Sequence, residues 1–151
     1  MTTKELSLEN LTMSFTEEIR VRASLDATFA AVLEEIGPYN ELEAGKPLPM
    51  KLEAWPGGRW YRDLGQENGH CWGHVQAIKR STLLEISGPL MMSYPTVSNI
   101  QYRLSEVDGE TLIKFHHIAL GLIKDEHKAG FSLIWNFTHG RVKTRAEGSK
   151  G

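Results

Sequence analysis

The chain has 151 residues, with 17 basic and 19 acidic side chains, a formal charge of −2, 40% apolar and 24% charged residues. That length and balance fit one globular domain and argue against a disordered chain or a general nucleic-acid binder. No apolar run approaches the ~18–20 residues of a membrane span, no hydrophobic stretch follows Lys4 as in a secretory leader, and a lone Cys71 excludes an intrachain disulfide. The expectation is a soluble, cytoplasmic domain.

The first ten residues are polar and without period, so they read as a loose arm. From Leu11 the odd positions turn apolar (Leu11, Met13, Phe15, Ile19, Val21, Ala23), with Glu17 the one exception, which predicts a half-buried strand. Ser24 and Asp26 stand where a helix N-cap belongs, before Ala27–Leu33, and Gly37-Pro38 stops that helix. Three prolines and Gly45 between 38 and 49 predict a connector with one helical turn.

The middle of the chain reads as a meander. Strands are predicted at Met50–Trp55, Arg59–Leu64, His70–Ile78, Leu83–Ser87, Val97–Leu104 and Thr111–Leu120. Pro56-Gly57-Gly58, Gly65–Gly69, the Gly88–Pro95 loop and Asp108-Gly109 supply turns between them. The period then changes. Phe131, Ile134, Trp135, Thr138 and Val142 fall on one helical face, and Leu133 and Phe137 widen the stripe. Arg141, Lys143 and Arg145 suit the C-terminal end of that helix.

A strand, a helical connector, about six more antiparallel strands and one broad apolar helix leave few packing options. The helix must cover one face of the sheet. A strongly bent sheet is not filled at both ends by a single helix, so an apolar, aromatic-lined cavity is expected between them.

In its motifs the chain resembles the SRPBCC superfamily (START-like, helix-grip), and within it the family of activators of the 90-kDa heat-shock protein's ATPase. The matching residues are Glu18-Ile19-Arg20-Val21-Arg22-Ala23 running into Ala27-Thr28-Phe29, Trp55-Pro56-Gly57-Gly58-Arg59-Trp60, Gly73-His74-Val75, and Gly109–His117 before the last helix. Trp55 departs from the pattern, since many relatives have arginine before the Pro-Gly-Gly turn. The resemblance implies an α+β helix-grip fold, a curved antiparallel sheet of about seven strands wrapped around a long C-terminal helix. It places that domain at 17–147, with an arm or strand extension at 1–16 and a disordered tail at 148–151. It also implies a histidine matching His117 near the strand end beside the cavity.

His70 and His74 lie about 13 Å apart on a strand at ~3.3 Å per residue, too far to share a metal ion with ligands at about 2.1 Å. His116 and His117 point to opposite faces. No metal and no cofactor are expected. His117 shares a face with Ile113 and Phe115, opposite Ile100, Tyr102 and Leu104 of the next strand. There it either anchors a ligand oxygen, acts as a general base, or closes the core by bonding Tyr102 or a backbone carbonyl. His139, one turn after Trp135, is expected to be partly exposed, and Cys71 offers no nucleophile arrangement. Asp63 is the carboxylate candidate for proton transfer if its face of strand 59–64 is buried. If instead the Trp60 face points inward, Arg62 enters the cavity; the alternation leaves both options open, and the expected outcome is that both side chains sit near the strand end in solvent.

Three functions follow. The first is binding of a hydrophobic or aromatic small molecule by Trp60, Ile86, Tyr102, Phe115, His117, Phe131 and Trp135. The second is a cyclase, hydrolase or lyase whose best catalytic candidates are His117 and Asp63. The third is a co-chaperone-like interaction module. Leu133 and Phe137 also allow a homodimer; nucleic acid is not an expected partner.

Overall fold

The computed structural model describes residues 7–148, so residues 1–6 of the expected arm and 149–151 of the expected tail lie outside the described residues. After a short 3-10 turn at Glu9–Leu11, strand β1 (Thr12–Val21) buries Met13 and Val21 on the face that its odd positions predict. Helix α1 (Leu25–Ile36) starts at Ser24, whose side chain accepts from the Ala27 amide at 3.1 Å. Its last turn ends inside the protein, where the Ile36 carbonyl accepts the indole N–H of Trp60 at 2.8 Å. A core side chain thereby satisfies one of the carbonyls that a helix end leaves open.

The connector forms no helical turn. Glu41–Glu43 (β2) and Lys46–Pro47 (β3) pair as a small separate hairpin, reversed through Gly45 at φ +78°. The left-handed backbone that glycine tolerates is what favours this turn over a helix.

The remaining strands are β4 (Lys51–Leu52), β5 (Arg59–Gly65), β6 (Asn68–Lys79), β7 (Leu83–Gly88), β8 (Thr96–Val107) and β9 (Glu110–Gly121). With β1 they form one antiparallel sheet in the order β1-β9-β8-β7-β6-β5-β4. The predicted strand 50–55 shrinks to two residues. Asp108 and Gly109 both have positive φ (52° and 78°), the backbone a two-residue hairpin needs, and Val107 pairs with Glu110 across them. The β5–β6 reversal is tighter than the expected five-residue loop, because Gln66 and Glu67 alone turn the chain and Gly65 pairs with Asn68. Helix α2 (Asp125–Gly148) runs 24 residues along the concave side of the sheet and buries Phe131, Trp135, Thr138, His139, Val142 and Ala146. The result is an α+β helix-grip fold.

Outside the grip, α1 is tied to α2. Glu35 is 3% exposed, and its two oxygens accept from Arg141 Nε (2.8 Å) and Arg145 Nε (2.7 Å).

Candidate functional site

Register decides which side chains face the helix. Ile100 is paired with His117, Tyr102 with Phe115 and Leu104 with Ile113, so all six point from β8 and β9 toward α2. From α2, Phe131, Trp135 and His139 stand at spacings of four and meet that row. The Trp135 indole N–H donates to His117 Nδ1 at 2.9 Å. The Tyr102 hydroxyl bonds His139 Nε2 at 2.9 Å. The two contacts are reciprocal: a helix donor serves a sheet histidine, and a sheet hydroxyl serves a helix histidine. Their rings interlock as well. His139 stacks on Trp135 (5.6 Å, 13°), Phe131 stands edge-on to His117 (4.8 Å, 86°), and Phe115 packs on Tyr102, Trp135 and His139.

Indole nitrogen can only donate, so His117 Nδ1 carries a lone pair and the neutral ring holds its proton on Nε2. That proton is directed to Ser98 Oγ, 2.9 Å away. Protonating the second nitrogen would break the Trp135 bond inside an apolar interior. Burial, with a smaller push from His116, lowers the His117 pKa from 6.5 to about 4. His139 is also shifted down by burial, against the opposing pull of Glu17, whose carboxylate bonds its Nδ1. Burial likewise raises the Tyr102 phenol, which stays a donor. The interior therefore holds two connected polar runs, Ser98–His117–Trp135 and Glu17–His139–Tyr102, joined where His139 lies flat on Trp135.

All seven residues expected to line a ligand face the interior, but they do not enclose an open hollow. Trp60, Ile86, Tyr102, Phe115, His117, Phe131 and Trp135 are only 0–3% exposed. A side chain lining a void that admits water keeps surface facing that void, and these keep almost none. The expected open cavity is thus closed in this structure. Part of the filling comes from an unexpected place: Leu90 and Met92, in the loop between β7 and β8, are fully buried in the same core.

Trp60 is the inward residue of β5, edge-on to Trp72 at 5.1 Å, while Arg62 and Asp63 are both exposed toward the hairpin tip, the solvated placement expected for the pair. Arg62 stays outside because β5 runs past the core toward its turn at Gln66-Glu67; the register shift beside Trp60 places its extra residue, Trp72, in β6. Asp63 accepts from Lys51 Nζ (2.7 Å) and the Gly65 amide (2.8 Å), and these bonds hold its pKa below the usual value. It is not the buried, raised acid that would act with His117, and the two share no cleft. His139 is 1% exposed rather than half in water, because the sheet grips α2 on more than its central stripe. The partner of His117 is Ser98 together with Trp135, not Tyr102.

Glu17 and Ser98 are the site residues that sequence reasoning passed over, and His139 is one it placed partly in solvent. Glu17 did leave a signal as the one charge among the inward odd positions of β1. It borders a surface cleft of about 320 Å³ with Arg20, Asn136, His139 and Lys143, so the polar run reaches the protein surface at its carboxylate end. A second, apolar cleft of about 470 Å³ lies on the outer side of α2, between Leu42, Ala44, Leu133, Ile134 and Phe137, with Leu133 72% exposed. Among the described residues there is no group of three or more His, Cys, Asp or Glu side chains placed to hold a metal ion, and no helix is long and apolar enough to cross a membrane.

No protein-family model matches the chain, and no curated protein matches it. Solved structures do. Ara h 8.0201 superposes with a TM-score of 0.68 at 12% identity, over 91% of this chain and 99% of that one. The Aha1 dimer from Colwellia psychrerythraea gives 0.65 at 14% identity, over 91% and 98%. The di-domain ARO/CYC protein StfQ of the steffimycin biosynthetic pathway gives 0.65 at 11% identity, over 93% of this chain and 52% of its own. At these identities the likeness is one of fold, and the fold it shows is the helix grip.

Proposed function

We propose that this domain binds an apolar or aromatic small molecule between the curved sheet and α2, with the buried polar runs orienting it. The observation that carries the reading is the reciprocal pair of contacts, Trp135 to His117 and Tyr102 to His139. A core built for packing alone would use Leu, Ile or Phe at these positions and avoid the desolvation of four buried polar groups. Ligand sites, by contrast, are mostly apolar with a few placed hydrogen-bonding groups, and titratable groups with strongly shifted pKa values gather in them. His117, pushed to about 4, remains a neutral imidazole, and its Nε2–H bonds a ligand carbonyl or hydroxyl only in exchange for Ser98. The likeness to a cyclase-type protein of a biosynthetic pathway supports a small organic ligand for this architecture.

Native mass spectrometry of the freshly purified full chain tests the proposal. The expected result is a bound organic species that is lost on solvent extraction, with a lower melting temperature afterwards. A mass equal to the bare polypeptide, together with no thermal stabilisation by a panel of apolar compounds, would overturn it.

A further inference from the structure

The loop between β7 and β8 behaves unlike a surface connection. It leaves the sheet at Gly88, rejoins it at Thr96, and between them sends Leu90 and Met92 fully into the core. Loops ordinarily run over the surface because their backbone groups need water. The backbone is held to the sheet centrally by one bond, from the Leu90 amide to the Trp72 carbonyl at 2.8 Å, beside a local turn from the Met92 amide to the Pro89 carbonyl. Its end is anchored separately. Ser93 bonds His70, and the Tyr94 hydroxyl bonds His127 Nδ1 at 2.5 Å near the start of α2. Leu90 also adopts φ +57°, a left-handed backbone that a leucine reaches only under strain. An anchored loop thus carries a strained centre whose two apolar side chains complete the packing of the core beneath Trp72.

We infer that Leu90 and Met92 occupy the ligand's own place, so that an uncharged apolar group binds by displacing them and the loop moves outward between Gly88 and Ser93. The inference rests on the binding reading above and adds where the ligand sits and what its entering part is. The space released is on the order of the ~150 Å³ apolar cavity that takes up benzene in an engineered protein core, enough for one aromatic ring or a short alkyl chain. A charge on that part is excluded, since each buried polar side chain of the two runs already has its partner. Because the closed loop competes with the ligand, the apparent affinity is lowered by the fraction of molecules in which the loop is open.

The test uses the uncharged fluorescent probe 1-N-phenylnaphthylamine, whose phenyl ring is the entering part while the naphthyl group fills the opening left by the displaced loop, with the full chain, the Leu90→Ala/Met92→Ala double variant, and Val142→Ala as a core truncation away from the loop. The wild type should bind the probe, and the double variant about tenfold more tightly, while Val142→Ala leaves affinity unchanged. In the wild type, saturating probe should speed hydrogen exchange at the Leu90 amide as its bond to Trp72 is lost. This second readout needs no variant to fold. Probe binding with Leu90 exchange unchanged or slowed, or a folded double variant that binds no more tightly, would overturn the displacement while leaving the binding reading intact. Failure of both the wild type and the folded double variant to bind would overturn both.

Discussion

The indole N–H of Trp135 lies 2.9 Å from His117 Nδ1, and this contact fixes which nitrogen of a buried histidine bears its proton. The direction of the Ser98 bond follows from an indole being unable to accept, while burial lowers the ring's pKa.

The Trp135→Phe variant leaves the His117 lone pair buried and unpaired. The expected loss is about 1–3 kcal/mol from that orphaned acceptor, with a further contribution from the lost ring volume. Adding His117→Leu should restore part of it, so urea denaturation of the two singles and the double should show costs well short of additive. Additive costs would mean that the two side chains do not interact.

Acid sensitivity has a defined window. His117 titrates at about 4 in the folded protein and 6.5 as its ordinary value, so the unfolded chain binds more protons between those limits. Stability should therefore rise with pH from about 4 to 6.5, by about 3 kcal/mol from this residue. His139, also lowered, adds with the same sign. The depressed carboxylates, such as Glu53 at about 2, lose their stabilising pairing only as pH falls below their ordinary range. Urea midpoints measured from pH 4.5 to 6.5 should climb, and the His117→Leu/Trp135→Phe double variant should flatten that climb.

Glu17 separates charge from hydrogen bonding. Gln at this position still offers an oxygen to His139 Nδ1 and should change stability by less than about 1 kcal/mol, whereas Leu leaves a buried N–H without an acceptor and should cost about 1–3 kcal/mol. Thermal unfolding of Glu17→Gln and Glu17→Leu distinguishes the two. Equal costs would show that the carboxylate is not what holds the ring.

Removing Glu35 should loosen α1 from α2. Arg141 and Arg145 have side chains about one-third exposed and keep Glu41 and Glu34 as partners, so water and those carboxylates limit the damage. Glu35→Leu should cost about 1–3 kcal/mol, less than orphaning a fully buried ion pair. Faster hydrogen exchange should be confined to α1 and the C-terminal half of α2.

Much of this architecture was legible in local chemistry. Asp108-Gly109 announced its hairpin because two successive positive φ angles suit few other residue pairs, and Phe131, Trp135, Thr138 and Val142 announced the buried helix face by spacing alone. The inward row of β8 and β9 followed from alternation. Hidden from that reasoning were features that depend on how far the sheet bends. His139 sits off the apolar stripe and is buried only because the sheet wraps the helix broadly. Which face of β5 points inward depends on where the strand leaves the core, and alternation alone does not say. Leu90 and Met92 lie among Gly88, Pro89 and Pro95, a composition that reads as a surface loop, and no local signal shows that it dips into the trough.

The most direct measurement is where a bound apolar probe touches the protein. With 1-N-phenylnaphthylamine on the methyl-labelled full chain, intermolecular nuclear Overhauser contacts should reach the buried Ile86 and Ile100 methyls on the inner face of the sheet. Contacts confined to Leu42, Leu133 and Ile134 would put the probe in the outer cleft and contradict a site between sheet and helix.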